Sequence, residues 1–429
     1  MKVVKEVIFY LISTIYLVDV SFFFLPSIIR SRFFLGIIGL CIFLYSASRK
    51  KYRVNKYILF NIGCILFLLF PFLLTSIINN NIDAWGFRSF LHILVFFGAY
   101  LIIYFKRDLI RTGTYNFDVL VKTIVIIIVV NILIAIFAYF ITPIKDFIFS
   151  IQGNEVDLHS RNYYASLFRL YGLGTFYFYQ GGVYCSWGLI LTVYLIRSSK
   201  NIKGTFILAL AYLLILISGL FIARTVLIGF VFSAIYFLIP KGLNKNYILN
   251  SIKKYIIIIL FTPFVLFVSI NSFELWLNNN IDNRSVAHAF EPFINFFESG
   301  HLATESTAHL ETMYVFPDNL KTWLIGDGFF TGQDGFYYMH TDVGYLRMVF
   351  FFGIIGLLVF YLQKFYLLHS IIKLGKTNVP KNQLLFFLFS FTIVVNLKGF
   401  ADADPILFLF FWLFIFKHRF SHENNNQYN

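Results

Sequence analysis

The sequence predicts an all-α polytopic membrane protein with about twelve transmembrane helices. Three observations predict it. Hydrophobic residues fill 59% of the 429 positions, while charged residues fill 13%, about half the share usual in a soluble domain. Apolar runs such as Ile124 to Ile141 are long enough, at about 1.5 Å per residue, to cross a hydrocarbon core of about 30 Å. Basic residues, finally, alternate with the connections between the runs.

The spans fall near residues 7 to 25, 33 to 48, 57 to 78, 88 to 105, 117 to 141, 181 to 197, 205 to 219, 221 to 239, 255 to 275, 343 to 362, 383 to 397 and 404 to 416. Connections carrying Arg49 to Lys56, Lys106 to Arg111, Arg197 to Lys203, Lys241 to Lys254 and Lys364 to Lys381 alternate with connections poor in lysine. Positive residues stay on the cytoplasmic side, which puts both termini inside. Lys2 and Lys5 before the first run read as the flank of a retained helix, because no small-residue cleavage site follows. The run from Thr205 to Pro240 is too long for one span. It reads as two short helices meeting at Ser218 and Gly219, with Arg224 just inside the outer boundary.

Residues 1–420 thus form one polytopic domain with two long outer loops, 142–180 and 276–342. Within the second loop, Val286 to Phe297 and Thr304 to Phe316 have the pattern of amphipathic surface helices. Residues 421–429, polar and rich in asparagine, read as a disordered tail. A net charge of +14 would indicate nucleic acid in a soluble chain. Here it lies mostly in short cytoplasmic loops, so the bilayer is the partner and no nucleic acid is expected. Cys41, Cys64 and Cys185 lack disulfide or metal spacing, and His159, His288, His301 and His309 do not form a zinc pattern. No phosphate-binding glycine loop or acidic metal motif stands out, so no cofactor or metal is expected.

The outward connections hold three lysines, Lys145, Lys321 and Lys398, against eight arginines. Topology does not require that preference. A planar guanidinium grips phosphate through paired hydrogen bonds, so outward arginine points to an anionic ligand. Arg224 is the sharpest candidate, because a charge inside an apolar run is costly and is kept for a partner or a task. Arg161 and Arg169 precede Gly174, Gly181 and Gly182, whose flexible backbone would let them wrap a pyrophosphate. Arg30, Arg32, Arg88 and Arg284 read first as interface anchors or local ion pairs. His340 and Asp342 sit at the outer mouth of the span that follows, where a histidine can take a proton from an attacking hydroxyl. Lys398, followed by Asp402 and Asp404, reads as a short hairpin with a local salt bridge.

Three local patterns and the overall layout resemble the Wzy-type polymerases of O-antigen and capsule synthesis. The patterns are Arg169-Leu-Tyr-Gly172 before a span, Ser218 to Arg224-Thr225, and His340-Thr-Asp-Val-Gly-Tyr-Leu346 leading to Gly353-Ile-Ile-Gly356. The resemblance implies a GT-C-like, metal-independent, inverting glycosyltransferase in a bacterial plasma membrane, with its active site facing outward. Its substrates would be undecaprenyl-pyrophosphate-linked oligosaccharides, and its partners a chain-length regulator and a flippase. Arg224 and Arg169, helped by Arg161, would bind the donor pyrophosphate, and His340 would serve the acceptor hydroxyl. Asp342, Lys398 and Arg284 are further candidates. Two alternatives stand beside it: an O-antigen ligase acting on lipid A core, and a flippase for lipid-linked oligosaccharide. The flippase reading predicts internal repeats and charge pairs near the midplane. The sequence displays neither, Asp19 in the first span being the exception.

Overall fold

The computed structural model describes residues 2–22, 30–49, 55–79, 84–152, 169–176, 178–240, 284–301, 304–332, 334, 336–374 and 379–425. Every regular element among them is a helix. The first half comprises α1 (Lys2–Val18), α2 (Ser31–Ser48), α3 (Lys56–Asn79), α4 (Ala84–Phe105), the short α5 (Arg107–Arg111), α6 (Phe117–Phe140) and α7 (Thr142–Ile151). The second comprises α8 (Phe178–Ser198), α9 (Ile202–Ile222), α10 (Val226–Leu238), α11 (Arg284–Ser299), α12 (Glu305–Thr312), α13 (Leu320–Ile325), α14 (Gly344–Ile372), α15 (Lys381–Val395) and α16 (Asp404–Asn425). Each expected span overlaps one of these helices except 255–275, which falls outside the described residues.

Four helices, α2, α6, α9 and α14, are long and apolar enough to cross a membrane, and further apolar helices are shorter. On α9 the exposed side carries Phe206, Ile207, Leu210, Leu213 and Ile217. A helix that presents such residues outward has hydrocarbon for its solvent. Its buried side, with Ile215, Gly219 and Ile222, packs on α8.

Antiparallel packing sorts the helix ends into two groups. At one end Arg197 of α8 donates to the Tyr236 and Ile239 carbonyls (2.5 and 2.8 Å) and to Gln383 (2.9 Å). Lys106 pairs there with Glu6 at 2.6 Å, and Lys417 donates to the Leu374 carbonyl at 3.3 Å. At the other end the Leu170 N–H donates to the Phe221 carbonyl (3.1 Å), and the Tyr345 N–H to the Asn396 carbonyl (3.2 Å). The candidate residues gather at this second end.

The long run between Thr205 and Pro240 does reverse. Tyr212 and Ser233 share a 2.8 Å hydrogen bond across α9 and α10, which only a fold-back allows. The break falls at Ala223, whose backbone is extended, rather than at Ser218 and Gly219. Gly219 stays helical because the site needs closeness: an added Cβ would stand 3.0 Å from Val226 and 3.3 Å from Cys185. Gly181 and Gly182 are likewise packing residues rather than flexible backbone. Both are buried inside α8, and a Cβ on Gly182 would meet Ala223 at 2.9 Å, which seats the reversal against α8.

The first span ends at Val18 instead of near residue 25. Asp19 turns the chain with φ 54, a left-handed conformation that aspartate tolerates better than most residues. Its carboxylate accepts the Arg32 N–H (3.3 Å) at the start of α2 and pairs with the Arg32 guanidinium at 3.4 Å. Arg32 thus takes the local ion pair of its two expected roles rather than that of an interface anchor. It is buried and donates to the carbonyls of Tyr16 (2.6 Å) and Leu17 (2.7 Å), satisfying groups that the end of α1 would leave open.

α14 runs ten residues past its expected end, to Ile372. At about 1.5 Å per residue it exceeds the hydrocarbon thickness, and it breaks at Gly353, where φ is 69. A Cβ there would lie 2.2 Å from the Leu324 carbonyl, so the glycine lets α13 press into the bend. The extension moves Lys364 from the expected cytoplasmic loop into a buried helical position. α16 carries the chain in helix to Asn425, further than a disordered tail from residue 421 allows.

Candidate functional site

Arg224 sits in the turn between α9 and α10, held at the helix ends by the apolar packing of the reversal. Only 10% of its side chain is exposed, and its guanidinium is paired with Glu291 of α11. Its second terminal nitrogen donates to Ser306 Oγ at 3.3 Å. The other oxygen of Glu291 accepts the Glu305 N–H (2.8 Å) at the start of α12. An oxyanion, the Glu291 carboxylate, is thus gripped between a guanidinium and the first N–H of a helix, while Ser306 accepts from the same guanidinium.

Four further groups converge there. His288 lies one turn before Glu291 on the same face of α11, which packs on α9. Burial lowers its imidazole from 6.5 to about 4, the positive charges of Arg169, Arg224 and Lys398 add to the effect, and Glu291 opposes it. Lys398, in the turn after α15, is depressed by burial and by Arg224 and Arg169, while Asp342 and Glu291 pull the other way. The Arg169 guanidinium lies over the Phe178 ring at 4.3 Å. Asp342 accepts from Arg347 at 3.3 Å, and burial raises its carboxyl above the ordinary range despite Arg347 and Lys398. Arg347 is sandwiched between Phe330 (3.8 Å) and Tyr337 (3.6 Å), a cation held by two ring faces.

The structure therefore brings together Arg169, Arg224, Asp342 and Lys398. It does not bring His340 to them. Its side chain is 74% exposed and pairs with Asp334 at 3.2 Å. Met339 and His340 have φ of 56 and 52, so the turn itself carries the ring outward. Arg161 and the side chains of Arg88 and Arg284 fall outside the described residues. Lys398 belongs to the arginine cluster rather than to a local bridge with Asp402 or Asp404. Sequence reading missed His288, Glu291 and Arg347. The first two are spaced i, i+3 on a recognisably amphipathic segment, and that pairing was the available signal.

A second polar group lies within the helices. Asp404 at the start of α16 pairs with Lys364 of α14 through one oxygen and with His92 of α4 through the other. Lys364 is 2% exposed and Asp404 1%. These are the charge pairs inside apolar helices that the sequence did not display, because their members lie far apart in the chain. They border a cavity of about 390 Å³ that Asp19, Arg32 and Asp402 also line. His92, Asp402 and Asp404 have ligand atoms within 4.8 Å of one another, the spacing of a metal site. Lys364 and His92 already engage both oxygens of Asp404, so a cation there would have to displace an ammonium.

The fold and the site define a class: a protein all-helical among the described residues, with helices long and apolar enough to cross a membrane and a cationic cluster assembled from the connections at one end. No family model, curated protein or solved structure matches the chain.

Proposed function

We propose that the protein polymerises undecaprenyl-pyrophosphate-linked oligosaccharide repeat units at the outer face of a bacterial plasma membrane, as a twelve-span, GT-C-like, metal-independent glycosyltransferase. The observation that carries this reading is the pairing of Arg224 with a carboxylate, that of Glu291, with Lys398 in electrostatic reach of Arg224, Arg169 and Glu291. In the reaction the acceptor hydroxyl oxygen bonds to the anomeric carbon of the donor, and the bond from that carbon to the pyrophosphate oxygen breaks. The electron pair leaves with the pyrophosphate, where the guanidinium groups stabilise the developing charge. Single displacement inverts the anomeric centre. The hydroxyl proton passes to Asp342, whose raised carboxyl range favours accepting it, while His340 serves the entering acceptor at the rim.

The experiment is purified protein in liposomes with synthetic undecaprenyl-pyrophosphate repeat units and EDTA. A ladder of products supports polymerisation, and its absence with verified substrate overturns it. Transfer to lipid A core without a ladder would mark a ligase. A flippase is favoured by one observation, the buried Lys364 and Asp404 pair with His92 beside it, since intramembrane ions commonly line transport paths. Movement of lipid-linked oligosaccharide across protein-containing liposomes, with no ladder, would decide for it.

A further inference from the structure

The cavity bounded by α2, α3, α4, α8, α14 and the start of α16 has a chemistry unlike that of the arginine cluster. Its charged lining is three carboxylates, Asp19, Asp402 and Asp404, against three cations, Arg30, Arg32 and Lys364. With His92, which also lines the cavity, counted as neutral, the formal charges cancel, so the chamber has little net attraction for a free anion or cation. Its volume of about 390 Å³ lies within the range of small-molecule sites. Aromatic rings form much of the rest of the wall, among them Tyr179, Tyr337 and Phe400.

We propose that this cavity binds a neutral polyhydroxylated ring, that is, a sugar. Sugar hydroxyls both donate and accept, and a lining of carboxylates, amides and guanidinium groups offers partners of both kinds. Aromatic faces suit the apolar C–H faces of the ring. Asp402 is the principal acceptor. Its Oδ1 takes the Asp404 N–H at 2.9 Å, and Oδ2 makes no hydrogen bond among the described residues. Gln180 fixes that segment by bonding both the carbonyl and the N–H of Asp402, so the carboxylate is held in place before a ligand arrives.

The chamber shares a wall with the arginine cluster. Tyr337 lines the cavity and stacks on Arg347, which bonds Asp342. Tyr179 also lines it and donates to the Gly399 carbonyl (2.8 Å), next to Lys398. Assigning the bound ring as a repeat-unit sugar rests on the polymerase reading. The sugar site itself does not.

The test is saturation-transfer NMR on the full chain in phospholipid nanodiscs, free of glycoside detergent, with the methyl glycosides of glucose, galactose, N-acetylglucosamine and rhamnose. At least one glycoside is expected to bind in the millimolar range. Leu91→Trp, which fills the cavity without altering its charges, abolishes the signal, and Asp402→Asn weakens binding about tenfold. Arg224→Ala leaves it unchanged, so failure of the pyrophosphate reading is distinguishable from failure of this one. Unchanged thermal unfolding checks that the variants fold, and Leu91→Trp alone decides if Asp402→Asn does not. Absence of a saturable signal to about 100 mM from every glycoside overturns the proposal. So does binding that survives Leu91→Trp.

Discussion

The two polar regions of this molecule are built from similar residues and differ in how their charges balance. At the reversal between α9 and α10, Arg169, Arg224, Arg347 and Lys398 outnumber Glu291 and Asp342, and the excess is positive. Inside the helices, the carboxylates and cations around the cavity cancel. The first region is assembled by connections and by α11 and α12 at one end of the bundle. The second is fixed by helices that hold Asp404 between Lys364 and His92. An unbalanced cluster suits a charged group that arrives and leaves. A balanced, buried one suits a neutral ligand, and it makes its charges essential to stability.

That comparison breaks most visibly at Arg224. Arg224→Ala should slow ladder formation by about 10² to 10³, the scale for losing one preorganised contact to developing negative charge, at unchanged protein level. Arg224→Lys should restore only part of the rate, because an ammonium lacks the paired donors. A ladder of ordinary rate from Arg224→Ala would remove the cluster from the chemistry.

In the cavity the corresponding change acts on stability. Lys364→Met leaves Asp404 buried with a single partner and should cost about 3 kcal/mol, read as a lower unfolding midpoint. Lys364→Met with Asp404→Leu should recover most of that loss. If the double variant is as unstable as the single one, the charges do not act as a pair.

A smaller effect belongs to Glu291. Glu291→Gln removes the charge that competes for Arg224 and should tighten binding of inorganic pyrophosphate about fivefold, about 1 kcal/mol for a partly exposed pair. Weaker binding in an isothermal titration would show that Glu291 positions Arg224 rather than occupying its site.

A last effect is a pH dependence. His288 is lowered from 6.5 to about 4 by burial and by Arg169 and Arg224, so the unfolded chain binds the extra proton first as pH falls. The stability present above pH 6.5 is therefore lost progressively toward pH 4. His288→Gln should flatten that part of the profile of unfolding midpoint against pH. An unchanged slope would take His288 out of the cationic cluster.

Much of the helical layout was legible in the sequence, because apolar length and lysine placement are local signals. Arg224 was legible for the same reason: a guanidinium in an apolar run is conspicuous wherever the chain goes next. Lys364 was not. It stands at the end of an apolar stretch and reads as a loop lysine until its partner, Asp404, is known. The Glu291 contact and the position of Asp342 beside Lys398 depend on how two long connections fold back, which periodicity does not encode. His340 differs in the other direction. Its place near a helix start was right, but the left-handed backbone at Met339 and His340 turns the imidazole to Asp334.

The most direct measurement is binding of undecaprenyl pyrophosphate to the wild-type protein, Arg224→Ala and Asp402→Asn in nanodiscs, side by side. The account predicts that Arg224→Ala loses binding at least tenfold while Asp402→Asn retains it. Equal binding in all three, or loss in Asp402→Asn alone, would contradict the division of the molecule into an anion site and a neutral chamber.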